Sequence, residues 1–148
     1  MKGACFYSFI KAFSVVFVCL VVSMAVSAEM DFSSRFLLGD YVLIGKALDS
    51  DSTYYGKVHI YAQDGSIKVK RIIKGGEITG TASIETALGG DAKVLRIRFI
   101  ENNIKYEETC LWLSDLDSYA RITCFLYRPG VKTDNPGLEA LFHDYNAN

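Results

Sequence analysis

Residues 54–84 read YYGKVHIYAQDGSIKVKRIIKGGEITGTASI. Three alternating segments, Tyr54–Ala62, Ser66–Lys74 and Glu77–Thr86, are separated by Asp64-Gly65 and Gly75-Gly76. Asp-Gly and Gly-Gly supply the positive φ that two-residue hairpin turns require. With those pairs central, Ala62 faces Ile67, Ile60 faces Val69, Val58 faces Arg71 and Gly56 faces Ile73. On the next hairpin Ile73 faces Ile78, Arg71 faces Gly80 and Val69 faces Ala82. Side chains alternate across a sheet. One face then carries Gly56, Val58, Ile60, Val69, Ile73, Ile78, Ala82 and Ile84. The other carries Lys57, His59, Lys68, Lys70, Thr79, Thr81, Ser83 and Glu85. Arg71 is the exception, a charge on the apolar face opposite a glycine that leaves it room.

Working outward, the alternation continues. Tyr41–Leu48 follows Gly39-Asp40, and the loop Asp49-Ser50-Asp51-Ser52 leads into residue 54. Phe36-Leu37-Leu38 is expected either to plug one barrel end or to add an edge strand, after a polar stretch Glu29–Arg35. Downstream, Leu95, Ile97 and Phe99 alternate with Arg96 and Arg98 in Lys93–Ile100. Ala87–Asp91 lacks a clean register and leaves room for a bulge, and Asn102-Asn103 marks the next turn. Ile104–Leu113 and Ala120–Tyr127 form the last expected hairpin. Pairing Cys110 with Cys124 there also pairs Trp112 with Ile122 and Glu108 with Leu126. Directly opposed cysteines lie within bridging distance. After Arg128-Pro129-Gly130, Asn135-Pro136 resembles an N-cap and first helical residue, and Leu138, Leu141, Phe142 and Tyr145 recur at helical spacing. A short C-terminal amphipathic helix is therefore expected.

Seven closely linked strands exclude βαβ crossovers, so the sheet is antiparallel. The fold class is all-β, an up-and-down meander of about seven to eight strands forming a barrel with one short C-terminal helix. Seven strands alone would close with a parallel pair. An extra strand from residues 32–38, or a gap covered by the helix, would remove that difficulty.

The N-terminus carries an address. Lys2 and Lys11 precede an uncharged run from Ala12 to Val26, then Val26-Ser27-Ala28 offers small residues for cleavage. Residues 1–28 are expected to be a secretory signal peptide, and 29–148 a single β-barrel domain without an integral membrane span. Cys5 and Cys19 leave with the signal, so Cys110 and Cys124 remain for one disulfide in a periplasmic or secreted protein. The net charge of −1 and the lack of a basic block exclude nucleic acid as the expected partner.

Gly39-Asp40-Tyr41-Val42-Leu43-Ile44-Gly45, Tyr55-Gly56-Lys57-Val58-His59-Ile60, and Gly76–Ala82 with Gly80 resemble the calycin-type meander of small exported bacterial proteins, and more broadly the lipocalin superfamily. The match covers about a third of the chain. Tyr41 stands where a lipocalin has tryptophan. The resemblance implies a barrel able to hold an apolar ligand, and no reaction.

There is no G-x-S-x-G, no H-E-x-x-H and no phosphate loop, no nucleophile–base pair is visible, and adjacent Glu107 and Glu108 point to opposite faces, so no enzyme activity is expected. His59 and His143 are the only histidines, and no metal or cofactor is expected. Asp49-x-Asp51 and Asp115-x-Asp117 lack a full calcium-loop spacing and read as polar turns. Lys68, Lys70, Arg96 and Arg98 read as a solvated outer stripe.

Arg71 on an apolar face demands an anion or water. Glu108 shares the inward face of Cys110 and Trp112, so a buried Arg71–Glu108 bridge is one expectation. The other is ligand binding, with Arg71 gripping an acidic head group and Tyr54, Tyr106 and Trp112 lining the apolar part. The functional expectation is an apolar or amphipathic, lipid-like small molecule. The alternative is a protein-interaction module with a filled barrel, either an envelope inhibitor or a secreted host-directed factor, acting through a loop end or the face near Tyr55, Tyr61 and Tyr127.

Overall fold

A computed structural model describes residues 31–112 and 122–147. The signal segment 1–28, the loop 114–119 and the aspartate pair Asp115-x-Asp117 lie outside the described residues. Eight strands form one closed barrel in sequence order. They are β1 (Gly39–Lys46), β2 (Thr53–Gln63), β3 (Ser66–Ile73), β4 (Gly76–Ala87), β5 (Ala92–Glu101), β6 (Ile104–Trp112), β7 (Ile122–Tyr127) and β8 (Gly137–His143). Every neighbouring pair is antiparallel, including β1 with β8.

The Asp64-Gly65 turn sets the β2–β3 register as expected: Ala62 opposes Ile67, Val58 opposes Arg71, Gly56 opposes Ile73. The next hairpin differs by two residues. Its central pair is Lys74-Gly75, both at positive φ (51° and 80°), and Gly76 already begins β4. Ile73 therefore opposes Gly76, Arg71 opposes Ile78, and Gly80 opposes Val69 instead of Arg71. A two-residue shift preserves which face each side chain occupies, so Arg71 still points inward. Gly80 has another role: a Cβ there would lie 2.5 Å from the Arg98 carbonyl oxygen on β5.

The expected C-terminal helix is strand β8. Pro136 precedes a strand, and the Asn135 carbonyl accepts from the Asp49 N–H (3.0 Å), tying this segment to the β1–β2 loop. As an eighth strand, residues 137–143 supply antiparallel partners to both β1 and β7 and leave no open edge. A helix of two turns would have left both edges unpaired. Inward Gly137, Glu139 and Leu141 alternate with Leu138, Ala140 and Phe142.

The segment before β1 acts as a plug. α1 (Phe32–Phe36) starts at Asp31, whose carboxylate accepts from the Ser33 N–H. Leu37 then enters the core, and the Tyr41 hydroxyl donates to its carbonyl at 2.9 Å. A 3-10 turn at Leu88–Gly90, with Leu88, Gly89 and Gly90 all at positive φ, joins β4 to β5 where a bulge was expected. The core fills the barrel with Leu43, Val58, Ile60, Val69, Leu95, Ile97, Ile122 and Leu141 among others. The Cys110–Cys124 disulfide joins directly opposed residues of β6 and β7, with Trp112 against Ile122 and Glu108 against Leu126. Among the described residues, no helix is long and apolar enough to cross a membrane.

Candidate functional site: a buried arginine with two carboxylates beneath the barrel mouth

Alternation along β3 carries Arg71 into the barrel, where it is 2% exposed. The same rule brings Glu108 inward from β6 and Glu139 inward from β8, at 0% and 3%. The guanidinium joins them. Nη1 donates to Glu108 Oε1 and to Glu139 Oε2 (2.9 Å), and Nη2 donates to Glu139 Oε1 (2.6 Å). Glu139 thus receives the guanidinium in the bidentate fork that arginine favours. The Tyr54 hydroxyl donates to the same Oε1. Gly45 makes space for that contact, because a Cβ there would overlap the Tyr54 ring. Arg71 Cζ lies 4.4 Å from the centre of the Phe99 ring, which stacks in turn on Tyr106 at 5.4 Å. The positive charge therefore also meets an aromatic face.

The electrostatics follow from one cation and two carboxylates in a dry site. Burial alone would lower the Arg71 pKa, but Glu108 and then Glu139 outweigh it and raise it above its ordinary value. Burial pushes the Glu108 carboxyl upward; Arg71 opposes that shift, while the charge of Glu139 and a hydrogen bond with it add to it. Burial, then Glu139, also raises the Tyr54 hydroxyl. A proton held on Glu108 makes the cluster neutral as a whole. That is the low-energy state of two buried carboxylates sharing one cation. Arg71 Nε has no hydrogen-bond partner among the described residues.

Above this cluster the barrel opens. In an up-and-down barrel the β1–β2, β3–β4, β5–β6 and β7–β8 connections share one end. A cleft of about 400 Å³ lies there, with Tyr54, Arg71, Ile73, Phe99, Tyr106 and Leu126 in its wall and Lys74 and Glu101 beside them. Of the residues singled out from sequence, Arg71, Tyr54 and Tyr106 meet at this cleft, and Glu108 lies under Arg71. Trp112 does not join them. It ends β6 at the opposite end of the barrel, buried beside Ile122. Glu139 and Phe99 were not foreseen as site residues. The signal for Glu139 was its place as the one charge in the alternation Gly137, Glu139, Leu141, which a helical reading conceals.

Other charged positions are engaged elsewhere. Asp49 pairs with Arg128 (3.0 Å) and Asp51 with Lys46 (3.1 Å). On the outer face Lys70 meets Glu77 (3.0 Å), while Arg96 and Arg98 meet Glu107 at 2.8 and 2.7 Å. His59 bonds Asp40 (2.8 Å) and stacks on Tyr61. Glu108, Cys110 and Cys124 come within 4.8 Å of one another, but both sulfurs belong to the disulfide. No protein-family model matches the chain, and no curated protein matches it. Fold and geometry therefore define the class alone: a closed, eight-stranded, up-and-down antiparallel barrel with a buried Arg–Glu–Glu cluster.

Proposed function

We propose that this chain is an exported, non-catalytic binding protein, a lipocalin-like barrel that holds an apolar or amphipathic small molecule at its mouth. The observation that carries the reading is the cleft of about 400 Å³ that reaches Arg71 between Tyr54, Phe99, Tyr106 and Leu126. Its size falls within the range of small-molecule sites, and its wall sets aromatic and aliphatic surface (Phe99, Tyr106, Leu126, Ile73) beside the polar groups of Tyr54, Arg71, Lys74 and Glu101. The leader-like N-terminus and the Cys110–Cys124 disulfide support export to the periplasm or beyond.

The geometry revises the expected head group. Arg71 is already engaged by Glu108 and Glu139 in a cluster that is neutral as a whole, so an acidic ligand would bring an uncompensated negative charge to it. An uncharged head, such as a hydroxyl or carbonyl, suits the site better, with the alkyl or aromatic body against Phe99, Tyr106 and Leu126. Below the cluster the barrel is filled by core side chains, which confines the ligand to the mouth.

Calorimetric titration with probes of equal chain length tests this: decanol, decanoate and decylammonium. Decanol should bind most tightly, and Tyr106→Ser should weaken it. Failure of all three to bind would remove the reading; tighter binding of decanoate would remove only the uncharged head. The second reading, a protein-interaction module, is favoured by one observation, the exposed apolar outer face of β6, β7, β8 and β1. Of the three tyrosines expected there, Tyr55 adjoins that face, opposite Ile44 and 69% exposed. Tyr127 is engaged with Glu107 and Thr109, and Tyr61 with His59.

A further inference from the structure

The outer surface of the barrel is divided. Over β3–β6 it carries the paired charges described above. Over β6, β7, β8 and β1 the register aligns Leu111, Thr123, Ala140 and Ile44 in one row. In the neighbouring row Phe125 opposes Leu138. None of these six side chains is charged. Leu111, Phe125, Leu138 and Ile44 are 54%, 53%, 45% and 42% exposed, far more than a side chain inside a core. The small Thr123 and Ala140 leave a groove of about 450 Å³ between the larger residues.

We infer that this face is the interface of a two-fold homodimer, and that its occupant is a second copy of this chain. Three properties select that partner. A two-fold interface uses the same patch twice, so the patch must contain both its projection and its recess. Here Phe125 projects beside a groove floored by Thr123 and Ala140. Lys46, the outward charge in the groove wall, is paired with Asp51 (3.1 Å), so the patch faces its own copy with its charge compensated. The area is sufficient as well. Together with Tyr55 and Val42, the exposed apolar side chains present on the order of 500 Å², near the upper end for a monomer's largest patch. With a polar rim this approaches the roughly 800 Å² per partner of a standard interface. Lys46 and Lys57, which lie in register with Leu138 and Val42, supply part of that rim. The inference stands independently of the ligand at the mouth.

Sedimentation equilibrium on protein purified from its own host tests it. The expected result is a dimer with a dissociation constant at or below about 10 µM, the range of weak standard-size interfaces. Phe125→Glu should weaken dimerisation by a factor of about 30 or more, the effect of losing a central aromatic contact. Leu111→Glu, at a second exposed position, should do the same. Thr81→Glu, on the outer face of β4, should leave the dimer intact. A wild-type protein that stays monomeric to about 100 µM overturns the inference. So does a dimer that survives both Phe125→Glu and Leu111→Glu with an unchanged circular dichroism spectrum.

Discussion

Replacing each buried glutamate by its uncharged isostere should give sharply different costs. Glu108 and Glu139 both contact Arg71, but Glu139 holds it with two oxygens and also accepts from Tyr54. Burial, with the charge of Glu139 and against the pull of Arg71, raises the Glu108 carboxyl from 4.5 to about 8, so on this account Glu108 holds its proton at about pH 6. Glu108→Gln then replaces one neutral group by another. The amide still offers an acceptor to Arg71 Nη1 and a donor to Glu139. The expected cost is below about 1 kcal/mol, within the range of one rearranged hydrogen bond. Glu139→Gln removes the charge that compensates the guanidinium and halves the fork. Breaking a buried pair from one side typically costs about 3–5 kcal/mol. Ionisation of Glu108 recovers part of that loss, leaving about 2–4 kcal/mol. Urea unfolding, followed by the single tryptophan Trp112 and by far-ultraviolet circular dichroism at about pH 6, measures both variants. With a slope near 2 kcal/mol per molar, Glu139→Gln should lower the midpoint by about 1–2 M and Glu108→Gln by less than about 0.5 M. Equal losses, or a larger loss for Glu108→Gln, would refute the assignment of the proton to Glu108.

Three further outcomes are expected. Because the folded-state pKa of Glu108 lies above its unfolded value, the stability linked to it is complete below about pH 4.5 and declines as pH rises through the folded value; Glu108→Gln should flatten that alkaline limb in thermal melts across pH. Reducing the Cys110–Cys124 bridge, or replacing both cysteines by serine, should cost about 3 kcal/mol in the urea midpoint by the loop-closure relation, whereas an unchanged midpoint would show that the strand pairing alone holds the hairpin. Gly45→Val should displace the Tyr54 ring from Glu139 and destabilise by about 1–3 kcal/mol, and with it should go the ligand affinity of the mouth; retention of both would show that Tyr54 is free to move.

Much of the barrel could be read from short-range chemistry. Asp64-Gly65 fixed one hairpin, Cys110 and Cys124 another, and alternation along residues 66–73 turned Arg71 inward. What escaped depends on distant partners. Residues 137–145 satisfy helical spacing through Leu138, Leu141, Phe142 and Tyr145, and strand alternation through Gly137, Glu139 and Leu141. A segment this short does not separate the two periods. The choice is made by β1 and β7, whose edges need a partner. The Lys74-Gly75 turn was hidden for a related reason. Gly75 takes positive φ in either register, and only the left-handed conformation of Lys74 distinguishes them, one that a non-glycine residue seldom adopts. The site was legible in proportion. Arg71 and Glu108 came from the strands that were placed correctly, whereas Glu139 lay in the segment read as a helix. Trp112 was assigned to the ligand by its face alone, without its height along the barrel.

Native mass spectrometry of protein purified from its own host tests the ligand-binding reading most directly. A barrel that carries a small amphipathic molecule at its mouth should show, beside the bare mass, an adduct of lipid-like size that is lost on unfolding and diminished in Tyr106→Ser. Only the bare mass, at every concentration and with both proteins, would contradict it.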